Sequence, residues 1–312
     1  MSDAKTTYFF RSNFKNMDIK SKVVYGLTLG STILFIIAAT QIRLYTSFFG
    51  DNYVRLNSRT NDIELLYPIK YTGKDFKPIL DLTKNAMIDY EDLLGIENTN
   101  RKQISIAVVD NTCGPGCGEL NGNRLEIESG RFDILYENVV EDNHLDHLLF
   151  YELGRIYWIF GDKLSCDDEK LNQVIHTGFA IFMRDVIIKK MGKRCASING
   201  IAYQDYLKNK HLEFDYYKKQ NEIDFEQLVN LKSVKQDDVE MKATRIFASM
   251  LNQLYENYGE SSFTNEFSKN IKTCTPPENS TELYTNLFKT STTSCKSDLR
   301  ELFTEEWKIP VK

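Results

Sequence analysis

The stretch Phe150-Tyr-Glu-Leu-Gly-Arg-Ile-Tyr-Trp sets a carboxylate, Glu152, three residues before a guanidinium, Arg155. Residues at i and i+3 share a helix face, so the two can pair as ions. A carboxylate whose surroundings bring its pKa toward neutrality can also act as a general acid or base, with Tyr151 beside it or His176 further on as its partner. His144 and His147 repeat the i, i+3 spacing. A zinc ion needs three or four convergent donors, however, so these two read as histidines of a helix start. No Asp-x-Asp pair, Gly-x-Ser-x-Gly elbow or phosphate-binding glycine loop occurs in the chain.

Glu152 continues into Leu153-Gly154, and 21 intervening residues separate Arg155 from Thr177-Gly178-Phe179-Ala180. In His-Glu-x-x-His peptidases the histidines at i and i+4 present both imidazoles to one zinc, and the glutamate polarises the attacking water. The two blocks resemble the gluzincin branch of the zinc metallopeptidases, whose third ligand is a glutamate that often precedes Gly-Phe-Ala. The order of parts resembles it too: a strand, an edge-like strand, the motif helix, the Gly-Phe-Ala helix and a helical C-terminal region ending in Asp298-Leu-Arg-Glu-Leu-Phe-Thr-Glu-Glu-Trp. The resemblance spans roughly residues 70–312 and rests on the blocks at 150–158 and 176–180. It puts Tyr151 and Arg155 on the two histidine ligands, Thr177 on the glutamate ligand and Glu152 on the general base. A phenol, a permanent cation and a hydroxyl do not build a zinc site, and guanidinium has no lone pair to offer. The resemblance therefore implies a degenerate, zinc-free domain with no cofactor, in which Glu152 is the sole catalytic candidate.

The elements that would position these residues follow from periodicity. Apolar residues recur at helical spacing from Lys74 to Leu94, with Gly95 to end the run. Residues 104–110 are rich in β-branched types and stop at the turn-forming Asn111-Thr-Cys-Gly-Pro-Gly-Cys-Gly; residues 123–129 alternate as a half-buried or edge strand would. A helix is expected from Asp142 or Asn143 to Gly161, a buried one over 171–191, and more beyond. The order of elements reads as α+β; the resemblance implies a zincin-like form of it, a small mixed sheet packed on a mainly helical domain, and one transmembrane helix is expected to precede it.

That last helix is read from residues 23–42, which carry no charge and match the roughly 20 helical residues needed to span a bilayer. Lys5, Arg11, Lys15, Lys20 and Lys22 precede it, against Arg43, Arg55 and Arg59 after it, which favours a cytoplasmic N-terminus. The expected organisation is a tail at 1–22, an uncleaved signal anchor at 23–42, a stalk at 43–65 and a lumenal or extracellular domain at 66–312; a cleaved signal peptide is the competing reading. All six cysteines, Cys113, Cys117, Cys166, Cys195, Cys274 and Cys295, follow the anchor, as disulfide candidates in an oxidising compartment would. Asn279-Ser-Thr is a glycosylation sequon, and Asn111-Thr-Cys a weaker one.

With 312 residues, 42% hydrophobic and 27% charged, the chain can bury a substantial core. A net charge of -5 and the lack of a basic block argue against nucleic acid as a partner. The leading expectation is a single-pass type II membrane protein whose zinc-free metallopeptidase-like domain binds a peptide, protein or glycan in its cleft, or serves a structural role. The alternatives are a lumenal hydrolase with a non-standard site around Glu152 and a metal-independent glycosyltransferase.

Overall fold

The computed structural model describes residues 41–96, 103–195 and 197–311. Strands β1 (Ile42–Thr46), β2 (Asn52–Arg59) and β3 (Ile63–Tyr67) form an antiparallel meander. β4 (Ile104–Val109) then lies parallel to β3. A short strand β5 (Gly116–Gly118) pairs antiparallel with β6 (Arg124–Glu128), which runs parallel to β4. The mixed sheet has the order β1-β2-β3-β4-β6-β5, so β5 is an edge. Residues 123–129, read as half-buried or edge, sit one strand further in, with Leu125, Glu126 and Ile127 all buried.

Residues 43–65 are not a stalk: they supply β1, β2 and the start of β3, the first strands among the described residues, so the domain expected to begin near residue 66 already includes them. Composition hid this because the outer sheet face is only partly covered. Leu44 and Val54 are register partners and both are exposed, whereas Tyr45 and Leu66 pack on Ala107 and Val109. A half-covered strand leaves no sustained apolar period. Among the described residues no helix is long and apolar enough to cross a membrane. The expected anchor at 23–42 lies outside the described residues except for its last two, and Ile42 already belongs to β1.

Helix α1 (Lys77–Leu94) crosses over between β3 and β4, burying Ile79, Leu80, Met87, Tyr90 and Leu94, and Gly95 closes it in the left-handed region at φ 61°. α2 (Ser129–Tyr136) and α3 (His147–Ile156) follow β6. α3 is shorter than the expected span from 142 or 143 to 161. Asn143 sits at φ 53°, which breaks helical continuity, and Asp146 is the N-cap, accepting from the Leu148 amide at 3.0 Å. At the other end the chain leaves α3 after Ile156, and Gly161 opens a separate 3-10 turn.

α4 (Glu169–Met191) is the central helix, capped by Asp168 and ended by Gly192, and almost every side is buried over 178–188. It packs on α3 and on α7 (Ala243–Asn257); α5 (Tyr203–Lys219), α6 (Phe225–Leu231), α8 (Ser261–Ile271) and α9 (Ser280–Cys295) complete the helical side. The C-terminal segment is part of this core: Phe303 and Trp307 are fully buried, and Tyr217 donates to the Trp307 carbonyl at 2.7 Å.

Two motif glycines set the helix spacing. A Cβ on Gly154 would stand 3.0 Å from the Ala180 Cα, and one on Gly178 would stand 2.7 Å from Phe247 Cδ1 and 2.9 Å from the Thr244 carbonyl oxygen. Leu-Gly and Gly-Phe-Ala therefore recur here for packing: they let α3 approach α4, and α4 approach α7.

Of the six cysteines, Cys113 and Cys117 bond to each other across a five-residue turn. Cys166, Cys195, Cys274 and Cys295 are free thiols, contrary to the expectation of a full disulfide set. Their surroundings are already occupied: the Cys195 thiol faces the Ser197 carbonyl, and Cys274 faces the Thr290 hydroxyl at 3.4 Å. Asn279 is exposed and caps α9, accepting from the Glu282 amide at 3.0 Å.

Candidate functional site

The close α3–α4 approach opens a cleft of about 550 Å³ beneath the edge strand β5. Tyr151, Glu152 and Arg155 reach it from α3, and Gln173, Thr177, Ile181 and Arg184 from α4. The Cys113–Gly116 turn and Asn199 form its rim. The spacing of the α4 residues explains the grouping, since 173, 177, 181 and 184 lie on one helical face. The four positions singled out by resemblance, Tyr151, Glu152, Arg155 and Thr177, thus meet in one cavity.

Glu152 is 2% exposed, and its Oε2 accepts the Gly118 amide hydrogen at 2.6 Å. Arg155 Nε donates to the Gly118 carbonyl at 3.2 Å and stands 4.0 Å from Glu152 Oε2. In an antiparallel pair alternate residues turn their amide and carbonyl away from the partner strand. Here Pro115 and Glu119 bond the β6 side, so Gly118 faces outward, and the glutamate and arginine take up both of its free groups. The edge at Gly118 is capped by side chains. Glycine is required there, because a Cβ on Gly118 would stand 2.5 Å from the Glu152 carbonyl oxygen.

Burial pushes the Glu152 carboxyl up to about 7, with the Gly118 hydrogen bond and the Arg155 charge opposing it. That is the range in which a carboxyl can both give and take a proton. Its expected partners differ in placement. Tyr151 is half-buried in the cleft. His176, by contrast, is not among the cleft residues: its Nε2 lies 3.0 Å from Ser165 Oγ and its ring packs edge-on to Trp158 at 4.4 Å. Burial, assisted by the Arg155 charge, lowers His176 to about 4. His147 does line the cleft. Its Nε2 accepts from the Asn199 amide at 3.3 Å, and burial lowers it to about 4. His144 is half-buried outside the cleft.

Arg184, Gln173, Ile181 and Asn199 were missed by sequence reasoning; the i, i+4, i+7 relation of Thr177, Ile181 and Arg184 was the available signal. Arg184 is held from behind by Asp185 at 2.8 Å and by the Tyr206 hydroxyl, and Lys210 joins Asp185 at 2.5 Å. Although burial alone would raise Asp185, the Arg184 and Lys210 charges hold it below the usual carboxylate range. This buried ionic cluster ties the cleft wall to α5.

The donor set does not fit a zinc ion. Two of the three ligand positions carry an alcohol or phenol, and the third carries a cation whose Nε is already donating to Gly118. Among the described residues no three His, Cys, Asp or Glu side chains converge.

The mixed sheet packed on helices is similar to the folds of solved structures, metallopeptidases among them, which supports a zincin-like fold. The chain matches a functionally unknown conserved protein from Bacillus anthracis str. Ames with a TM-score of 0.60 at 12% identity, over 84% of this chain and 50% of that one. It matches a metallopeptidase from Bacteroides thetaiotaomicron with a TM-score of 0.56 at 12% identity, over 81% and 41%. The ZmpB metallopeptidase from Clostridium perfringens follows at 0.52 and 14%, over 81% and 46%. At such identities the likeness is one of fold, and the chain spans half or less of these proteins' lengths. No protein-family model and no curated protein matches the chain.

Proposed function

We propose that this zincin-like domain is a zinc-free binding module whose cleft receives a ligand that it does not cleave by metal-dependent hydrolysis. The observation that carries the reading is the Arg155 side chain, which reaches across the ligand position to the Gly118 carbonyl beside Glu152. A dication placed there would face a guanidinium, and one or the other would have to leave. The reading includes the anchor at 23–42, with the domain on the lumenal or extracellular side and Asn279 available for glycosylation; a structural role for the domain is compatible with the same geometry.

Metal analysis of the purified chain tests it. The wild type should hold no stoichiometric zinc, whereas Tyr151→His, Arg155→His and Thr177→Glu together should create a tight zinc site beside Glu152. Stoichiometric zinc in the wild type overturns the reading. A folded triple variant that stays metal-free overturns the placement of Thr177. The neutral-range carboxyl of Glu152 favours a second reading, a hydrolase using Glu152 with Tyr151; hydrolysis of a peptide or glycoside that Glu152→Gln abolishes would establish it.

A further inference from the structure

Among the described residues, Arg155 engages partners through only one of its nitrogens. Nε serves the Gly118 carbonyl, while neither Nη1 nor Nη2 hydrogen-bonds a described residue; the side chain is 27% exposed and Arg155 lines the cleft. Tyr151 and Thr177 line the same cavity, and their hydroxyls likewise make no hydrogen bond to a described residue. Glu152, the cleft's buried anion, takes its shortest contact from the Gly118 amide and lies at the 4.0 Å limit from Arg155, so it does not occupy the guanidinium fork. Arg184, the other cation, is engaged by Asp185 and Tyr206 and supplies no comparable free edge. The neutral His147 accepts from Asn199. Among the described residues, the groups left unengaged in the cleft include one permanent cation and the hydroxyls of Tyr151 and Thr177.

We propose that the Arg155 fork, in the cleft that Tyr151 and Thr177 also line, is a receptor for a carboxylate on a peptide ligand; this rests on the zinc-free binding reading. Two parallel N–H groups match the two oxygens of a carboxylate, and both hydroxyls can add a third or fourth donor. The partner is a peptide because the cleft lies against a sheet edge, where the Cys113–Gly116 turn lines it and an extended chain can run alongside β5. The edge is capped at Gly118, so an added strand cannot pair past Arg155. A chain that stops there, or turns a side chain inward there, meets the guanidinium. The carboxylate can thus come from a C-terminus or from an Asp or Glu side chain.

The test uses the full-length chain in mild detergent and three acetylated pentapeptides of alanine: one with a free C-terminal carboxylate, one amidated, and one amidated with a central glutamate. Binding is read by NMR from the arginine Nε–Hε signals and tyrosine ring signals, with acetate as a minimal probe. Acetate and at least one carboxylate peptide should shift the Arg155 signal saturably, and the all-alanine amide should bind at least tenfold more weakly. The two carboxylate peptides distinguish a terminal from a side-chain source. Arg155→Lys keeps the charge but removes the fork and should weaken binding about tenfold. Because Arg155 also caps Gly118, Tyr151→Phe and Thr177→Val serve as variants that leave the cap untouched, and each should weaken binding several-fold. Equal binding of all three peptides, no saturable shift with any of them, or full retention of binding in the three variants overturns the inference. Failure here with a zinc-free wild type sinks the carboxylate receptor alone; stoichiometric zinc sinks the reading beneath it.

Discussion

Replacing Glu152 by glutamine should make the protein more stable in alkaline solution and leave it nearly unchanged in acid. Burial raises this carboxyl from an ordinary 4.5 to about 7, so the folded protein holds its proton more tightly than the unfolded chain does. The sign follows directly. Below about 4.5 both states are protonated and there is no penalty. As pH rises toward 7 the unfolded chain ionises freely while the folded one resists, and stability is lost until the penalty is complete above about 7. The gap corresponds to about 3 kcal/mol at most. Glutamine never ionises, and its carbonyl can still accept the Gly118 amide hydrogen that Glu152 Oε2 accepts at 2.6 Å. Urea melts of both proteins at pH 5, 6, 7 and 8 give the difference in unfolding free energy. It should grow from about 1 kcal/mol at pH 5 to about 3 kcal/mol at pH 8 in favour of the variant. Other titrating groups cancel in that difference: Glu213, raised to about 7 mainly by burial, and His147 and His176, lowered to about 4, are present in both proteins. A difference that stays flat with pH, or a variant less stable at pH 8, would refute the account of Glu152 as a buried, desolvated acid.

The motif glycines are expected to be structural. Gly154→Ala and Gly178→Ala should each destabilise the fold by about 1–3 kcal/mol through overpacking, with the second the costlier because backbone oxygen and an aromatic ring both lie within 3 Å; neutral urea melts would contradict the close helix approach. For the anchor, protease added to sealed microsomes should spare the domain, and a glycosidase should increase its mobility if Asn279 is used. Digestion without detergent overturns that topology.

Most of α1 was legible because its apolar residues recur at 3.6-residue spacing, and α4 because it is a long run apolar on most sides; glycines stand at both C-caps. β4 was legible as a β-branched run. Strands β1 to β3 were not, because a sheet face that stays partly in water leaves its strands with the mixed composition of a linker. The Tyr151, Glu152, Arg155 and Thr177 set could be nominated from two short blocks, since the i, i+1 and i+4 positions of a helix are a local matter. Sequence also determined, through the chemistry of a guanidinium, that Arg155 is no zinc ligand. Only the tertiary structure could decide that the set shares a cavity with Arg184, that Gly118 supplies the amide and carbonyl that Glu152 and Arg155 cap, and that His176 turns to Trp158 instead. Those contacts join residues far apart in the chain, and at Gly118 the partners of Glu152 and Arg155 are backbone atoms, which every residue type carries and no sequence pattern can mark.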